Sequence, residues 1–234
     1  MTKRYLLLFM GFLFLSLQGC VRHLDVNSEV IDQAMGPLEV DITHLMATRD
    51  GQTAIYELER VEILDLSDLN ALLIHIIVSS SITGMNEDYM IMITPEWVYS
   101  TKDMTKTVNE IDASDPQGLR TLIYRYTDLI DYDVLSNQPL KSLAETLGEP
   151  TLSVVRGVYT LVGTTAFEHS LPEGVLEVAK FIYEDHRLLE LHVNRQYDFE
   201  STRQRSNYIS GSHFYFSDQM PIEFPPLSGF QLID

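Results

Sequence analysis

Apolar and polar residues alternate through much of the chain beyond residue 37, and that alternation sets the first expectations. LEVDITHLMAT (38–48) and TAIYELERVEILDL (53–66) read as strands, with Asp50-Gly51 between them predicting a hairpin turn. ALLIHIIVSSSI (71–82) places Leu72, Ile74, Ile76, Val78 and Ile82 on one alternating face. A helix through Leu69, Leu72, Leu73, Ile76 and Ile77 competes, and the β-branched content favours the strand. Residues Gly84 to Asp88 then turn the chain into YMIMITPEWVYS, which Pro95 ends or confines to a sheet edge.

The period changes near residue 114. Ser114 or Asp115 caps a helix with Pro116 in its first turn, and Leu119, Leu122, Ile123, Tyr126 and Ile130 recur at helical spacing. A second, short helix starts near Pro139 and carries Leu140, Leu143 and Leu147. Gly148 and Pro150 supply its stop. Strand patterns return in TLSVVRGVYTLVG, VLEVAKFIYE and RLLELHVNRQYDF, the last two linked tightly through Asp185-His186. The predicted class is α+β, a mainly antiparallel β region followed by a helix–helix–antiparallel β-meander module. Its expected divisions are a signal over 1–19, a tether over 20–36, a mainly β region over 37–100 and a linker over 101–113. An α+β module follows over 114–198, then an aromatic, Pro-rich segment over 199–234. In that last segment Tyr208, Phe214, Tyr215, Phe216, Phe224 and Phe230 either cover a core edge or form a recognition surface.

Charge narrows the functions. The chain has 16 basic and 34 acidic residues, a formal net charge of −18, so phosphate backbones repel it and nucleic-acid binding is not expected. A hydrophobic content of 45% is enough for a packed core.

The one cysteine, Cys20, changes the picture more. Lys3 and Arg4 precede an apolar run from Tyr5 to Leu17, too short to cross a bilayer and suited to an export signal. The run ends Leu17-Gln18-Gly19-Cys20, which resembles the lipobox of bacterial lipoproteins, with Gln18 departing from the commoner small residue. The resemblance implies cleavage between Gly19 and Cys20 and a diacylglyceryl group on the Cys20 sulfur. Two or three acyl chains, such as palmitate, suffice for stable anchoring. The implied location is the extracytoplasmic face of the cell membrane or the outer membrane. Val21, rather than Asp, resembles the outer-membrane class where the host has two membranes. A signal removed at Cys20 takes Lys3 and Arg4 with it, leaving 14 basic against 34 acidic residues, a net −20.

Leu147, Gly148 and Pro150 form an LG-x-P match, and Phe181 to Val193 a hairpin. In that order they resemble the SmpA/OmlA and β-lactamase-inhibitor-protein-like modules of exported proteins, over about residues 114–198. That resemblance implies a binding or assembly role and carries over no partner-contacting residue.

Chemistry-bearing patterns are sparse. There is no G-x-S-x-G, no phosphate-binding Gly loop and no H-x-x-x-H among His23, His44, His75, His169, His186, His192 and His213. Ser212-His213 is a neighbouring pair that rarely attains catalytic geometry, and Asp131-Tyr132-Asp133 lacks the rest of an EF-hand loop. His75, inside an apolar run, is expected to be half-buried and hydrogen-bonded. The sequence therefore nominates no catalytic residue, no metal ligand and no cofactor, and only Cys20 as a modified site. The expected role is non-catalytic binding or envelope assembly, with the membrane contacted through the lipid and a protein or small ligand as partner. The alternative is an extracytoplasmic hydrolase acting on glycan or peptide through unidentified carboxylates.

Overall fold

The computed structural model describes residues 22–24, 43–53, 56–81, 83–129, 137–165, 175–201, 204–216 and 222–233. The apolar run expected to form an export signal, Gly19, Cys20 and the Asp131–Asp133 motif lie outside them. The strands, in chain order, are β1 (Arg22–Leu24), β2 (His44–Thr53), β3 (Tyr56–Asp65), β4 (Leu72–Ser80), β5 (Met85–Ile93), β6 (Trp97–Ser100) and β7 (Thr105–Val108). After helices α1 (Pro116–Tyr126) and α2 (Asn137–Glu145) come β8 (Gly148–Val155), β9 (Val158–Thr164), β10 (Val175–Glu184), β11 (Arg187–Ser201), β12 (Gln204–Phe216) and β13 (Gln231–Leu232).

These thirteen strands form one sheet, in the order β1-β8-β9-β10-β11-β12-β2-β3-β4-β5-β6-β7-β13. Neighbours are antiparallel except β13, which runs parallel to β7. The expected α+β class, a β region followed by a separate helix–helix–β module, is therefore corrected. Strands from both halves of the chain share one sheet because β12 pairs with β2 from Ile209↔Gln52 to Phe216↔Leu45. The fold is mainly β, with two described helices of 11 and 9 residues. The 20–36 stretch holds β1, the 101–113 stretch holds β7, and the 199–234 segment holds β12 and β13.

Local chemistry explains most elements. β4 buries Leu72, Ile74, Ile76 and Val78 on one face, as its alternation requires, so the competing helix does not form. In α1 the Asp115 carboxylate accepts the Gly118 N–H at 2.9 Å, and Pro116 occupies the first turn, where it forfeits no helical bond. The β8–β9 link, Arg156-Gly157, and the β10–β11 link, Asp185-His186, have positive φ at both residues. That is the two-residue turn whose twist matches the flanking strands. Asp50-Gly51 is not a turn: both residues sit inside β2, opposite Glu59 and Leu58, and the chain reverses after Thr53. Likewise β5 begins at Met85, so the reversal precedes it, at Ser81–Gly84. Gly148 opens β8, and an added Cβ there would lie 2.6 Å from the Thr164 hydroxyl. Close approach of β9, not a left-handed helix cap, is what requires that glycine.

One buried cluster joins Leu152 of β8 to Val98 of β6 and includes Leu122, Ile123, Leu140 and Ala144 of the helices. Those two strands are nine positions apart in the sheet order, about 43 Å if the sheet were flat. Helices of this length span only about 14–17 Å. The sheet must therefore coil around them, as sheets of more than about ten strands tend to do. A smaller cluster on the opposite face seats Phe230 and Phe224 against Met92, Tyr99, Leu73 and Trp97. The aromatic segment thus splits: Phe214 and Phe216 enter the main core, while Phe224 and Phe230 cover the outer face.

Ile74→Ala removes a fully buried side chain from β4 and should lower unfolding free energy by about 2–5 kcal/mol. Ile77→Ala, on the exposed face of the same strand, should cost less than about 1 kcal/mol. Urea denaturation of both variants reads the difference, and equal losses would contradict the face assignment.

Candidate binding site

The register assigns every strand residue to the core face or the outer face, and the core face changes character along the strands. One row across it is Phe181, Leu191, Phe214, Ala47, Glu62, Ile76 and Tyr89. The next is Ala179, Val193, Ser212, Arg49, Arg60, Val78 and Glu87. Beyond it lie Glu177, Arg195, Ser210, Gly51, Leu58 and Ser80. Over three rows the sheet passes from one that is apolar but for Glu62 and the Tyr89 hydroxyl to one holding four polar side chains and a glycine.

Two glutamates are buried there. Glu62 is 1% exposed, and its Oε1 accepts Arg60 Nε–H at 2.8 Å and the Asp128 backbone N–H at 2.9 Å. Arg60 Nη2 lies 2.8 Å from the same oxygen, and Arg60 Nε 3.2 Å from Asp128 Oδ2. Burial works against the Arg60 charge, but Glu62 and then Asp128 outweigh it, so the guanidinium is held protonated more firmly than in water. Glu62 Oε2, also buried, has no hydrogen-bond partner among the described residues. Glu177, 2% exposed, accepts the Thr165 hydroxyl at 2.6 Å on Oε1 and Arg195 Nε–H on Oε2. Each buried carboxylate is thus tied to an arginine whose side chain keeps a path to solvent, 20% exposed for Arg60 and 27% for Arg195.

The sequence reading missed all of these residues, because charged residues in a strand pattern read as a solvated face. Parity carried the signal. Leu58, Arg60, Glu62, Leu64 and Leu66 fall on alternate positions, as do Glu177, Ala179, Phe181 and Tyr183. Tyr183 is itself fully buried, stacked at 5.3 Å on Tyr159, and burial and then Tyr159 push its phenol upward.

The outer face holds His44, His75, His192 and His213. His75 is partly buried with Nε2 2.7 Å from Asp88 Oδ1, as its sequence context suggested. His213 lies in the middle of the sheet, its ring 4.5 Å from that of His192 on β11, with Nε2 3.2 Å from Asn194 Oδ1. Ser212 faces the core side of β12 and His213 the outer side, so the neighbouring Ser and His do not meet. Among the described residues no group of three or more His, Cys, Asp or Glu is placed to hold a metal ion. No described helix is long and apolar enough to cross a membrane.

Glu62→Ala should cost about 3 kcal/mol, the low end for a broken buried pair because Arg60 keeps some solvent. Replacing both partners, Arg60→Met with Glu62→Leu, should recover most of it; denaturant midpoints check both. A pH effect follows from His192, whose protonation burial, then His213 and also Lys180, disfavour against the opposing pull of Glu190. Its folded pKa lies below 6.5, so the unfolded chain binds the proton more tightly. That stability is fully present above about pH 6.5 and is lost as pH falls through the folded value. His192→Gln should flatten the fall in denaturation midpoint between about pH 7 and pH 5, and an unchanged slope would refute the assignment.

No family model matches the sequence, and no curated protein does. Among solved structures the chain is similar to the S-type phycobiliprotein lyase CPES from Guillardia theta. The identity is 6%, over 83% of this chain and 95% of that one, at a TM-score of 0.26. A likeness at that level bears on neither ligand nor activity.

Proposed function

We propose that this chain is a non-catalytic binding protein, held at the extracytoplasmic face of a membrane by lipid on Cys20, and that the polar end of its core face is where it binds. The observation that carries the binding role is the pair of buried glutamates, Glu62 and Glu177, each tied to a partly exposed arginine beside small residues. Two buried ion pairs on one sheet face are a weak route to stability, since apolar replacements of similar volume stabilise as well or better. They do orient guanidinium groups, whose planar donors suit recognition of a partner. The anchor is supported by the lipobox-like Leu17-Gln18-Gly19-Cys20 and by the charge of the chain, which leaves electrostatics no part in contact with an anionic membrane.

Native mass spectrometry of full-length protein extracted from membranes in mild detergent tests both halves. The expected species starts at Cys20, carries acyl mass and retains a non-covalent adduct that dissociates on activation. Cys20→Ala should stay unprocessed. An unacylated soluble protein would overturn the anchor, and an acylated protein free of any adduct would overturn the binding role.

A further inference from the structure

The sequence predicts a tether over 20–36, yet β1 begins at Arg22, and only Val21 separates it from Cys20. Two residues of extended chain span at most about 7 Å, so the Cys20 Cα is held within that distance of the Arg22 Cα by covalent geometry alone. β1 lies antiparallel to β8, with Arg22 opposite Val154 and Leu24 opposite Leu152. The end of β1 nearest Cys20 therefore lies beside the Arg156-Gly157 turn. The row continues across the sheet: Val158 pairs with Val155 on one side and Glu184 on the other, and Glu184 pairs with Arg187. The two tight turns, Arg156-Gly157 and Asp185-His186, thus stand side by side at one end of the sheet, along a ridge of four strands about 14 Å wide. Val155, both turns and their flanking Glu184 and Arg187 are exposed. Arg156 and Arg187 equal Glu184 and Asp185 in number, so this corner is close to neutral in a chain of net charge −18. It meets little of the repulsion that an anionic headgroup layer exerts on the rest.

We propose that in the anchored protein this hairpin end rests on the lipid headgroups, and that the polar end of the core face points away from the bilayer. The proposal rests on the lipid at Cys20 and names the surface that the anchor brings to the membrane. Acyl chains fix Cys20 at the headgroup layer, and the link of about 7 Å from there to β1 is too short to let another part of the sheet take the place of this end. Seven residues of β10, about 23 Å, separate Glu184 on the ridge from Glu177. The row of Glu177, Arg195, Ser210 and Gly51 consequently lies toward the aqueous side, from which a partner approaches it.

Energy transfer from a fluorophore on the protein to rhodamine-labelled headgroups tests it, with the native acylated chain in vesicles of phosphatidylethanolamine and phosphatidylglycerol. Acylation consumes the one native thiol, so a cysteine introduced elsewhere takes the label alone. Glu184→Cys marks the hairpin end, and Met85→Cys marks the opposite end, where β5 begins beside Ser80. Both side chains are exposed, so neither variant should disturb the fold. Transfer from position 184 should be at least about twice that from position 85, which lies more than a strand's length farther along the sheet. Inserting about ten Gly/Ser residues between Val21 and Arg22 adds a flexible reach of about 17 Å and should bring the two values together. Equal transfer from the two positions, stronger transfer from position 85, or a difference that survives the insertion would each overturn the placement and leave the anchor standing. A protein without acyl mass would overturn both.

Discussion

The pairing of β12 with β2 is the contact on which the rest depends. It joins Phe216 to Leu45 and Ile209 to Gln52, across some 160 residues of chain, and without it the strands would form two smaller sheets. The length-dependent cost of closing so long a loop is only about 4–5 kcal/mol, since it grows as the logarithm of length. Burying Phe214 and Phe216 offsets about 3–6 kcal/mol of that before any backbone bond is counted. The pairing also fixes a parity: a slip of one residue would send both phenylalanines outward and turn His213 and Tyr215 into the core.

That same parity places the charged groups. Once Leu45 and Ala47 face inward, Arg49 must follow. Once Leu58 and Leu64 face inward, Arg60 and Glu62 lie between them. The apolar rows lock the register, and the locked register brings Arg60 to Glu62 and Arg195 to Glu177. The glutamates complete the arrangement, for Glu62 also accepts the backbone N–H of Asp128, just past α1, and so fixes the helix end to the sheet. Binding chemistry and folding are thus coupled through a few residues of β3 and β10.

How much of this could be read from sequence follows from the range of each interaction. The Asp115 cap, the alternation of β4 and the tight β10–β11 link at Asp185-His186 are local and were legible. The Asp50-Gly51 turn was misread because a strong local signal gave way to tertiary register: the pair lies flat in β2, with Gly51 opposite Ser210 on β12. The union of the two halves was illegible, since nothing near Ile209–Phe216 names β2 as its neighbour. The buried ion pairs went unseen for a related reason: Glu177 meets Arg195 only across the β10–β11 pairing, and each alone looks like an ordinary surface charge. The lipobox-like segment is the opposite case, a signal complete within a few residues that asks nothing of the fold.

The account stands or falls on whether β12 pairs with β2 in this register. The most direct measurement is the pattern of cross-strand NOEs between these strands in isotope-labelled native protein. The account predicts backbone contacts between His213 and Thr48 and between Phe214 and Ala47, residues that only this pairing brings together. Absence of those contacts, or contacts displaced by one residue, would contradict it.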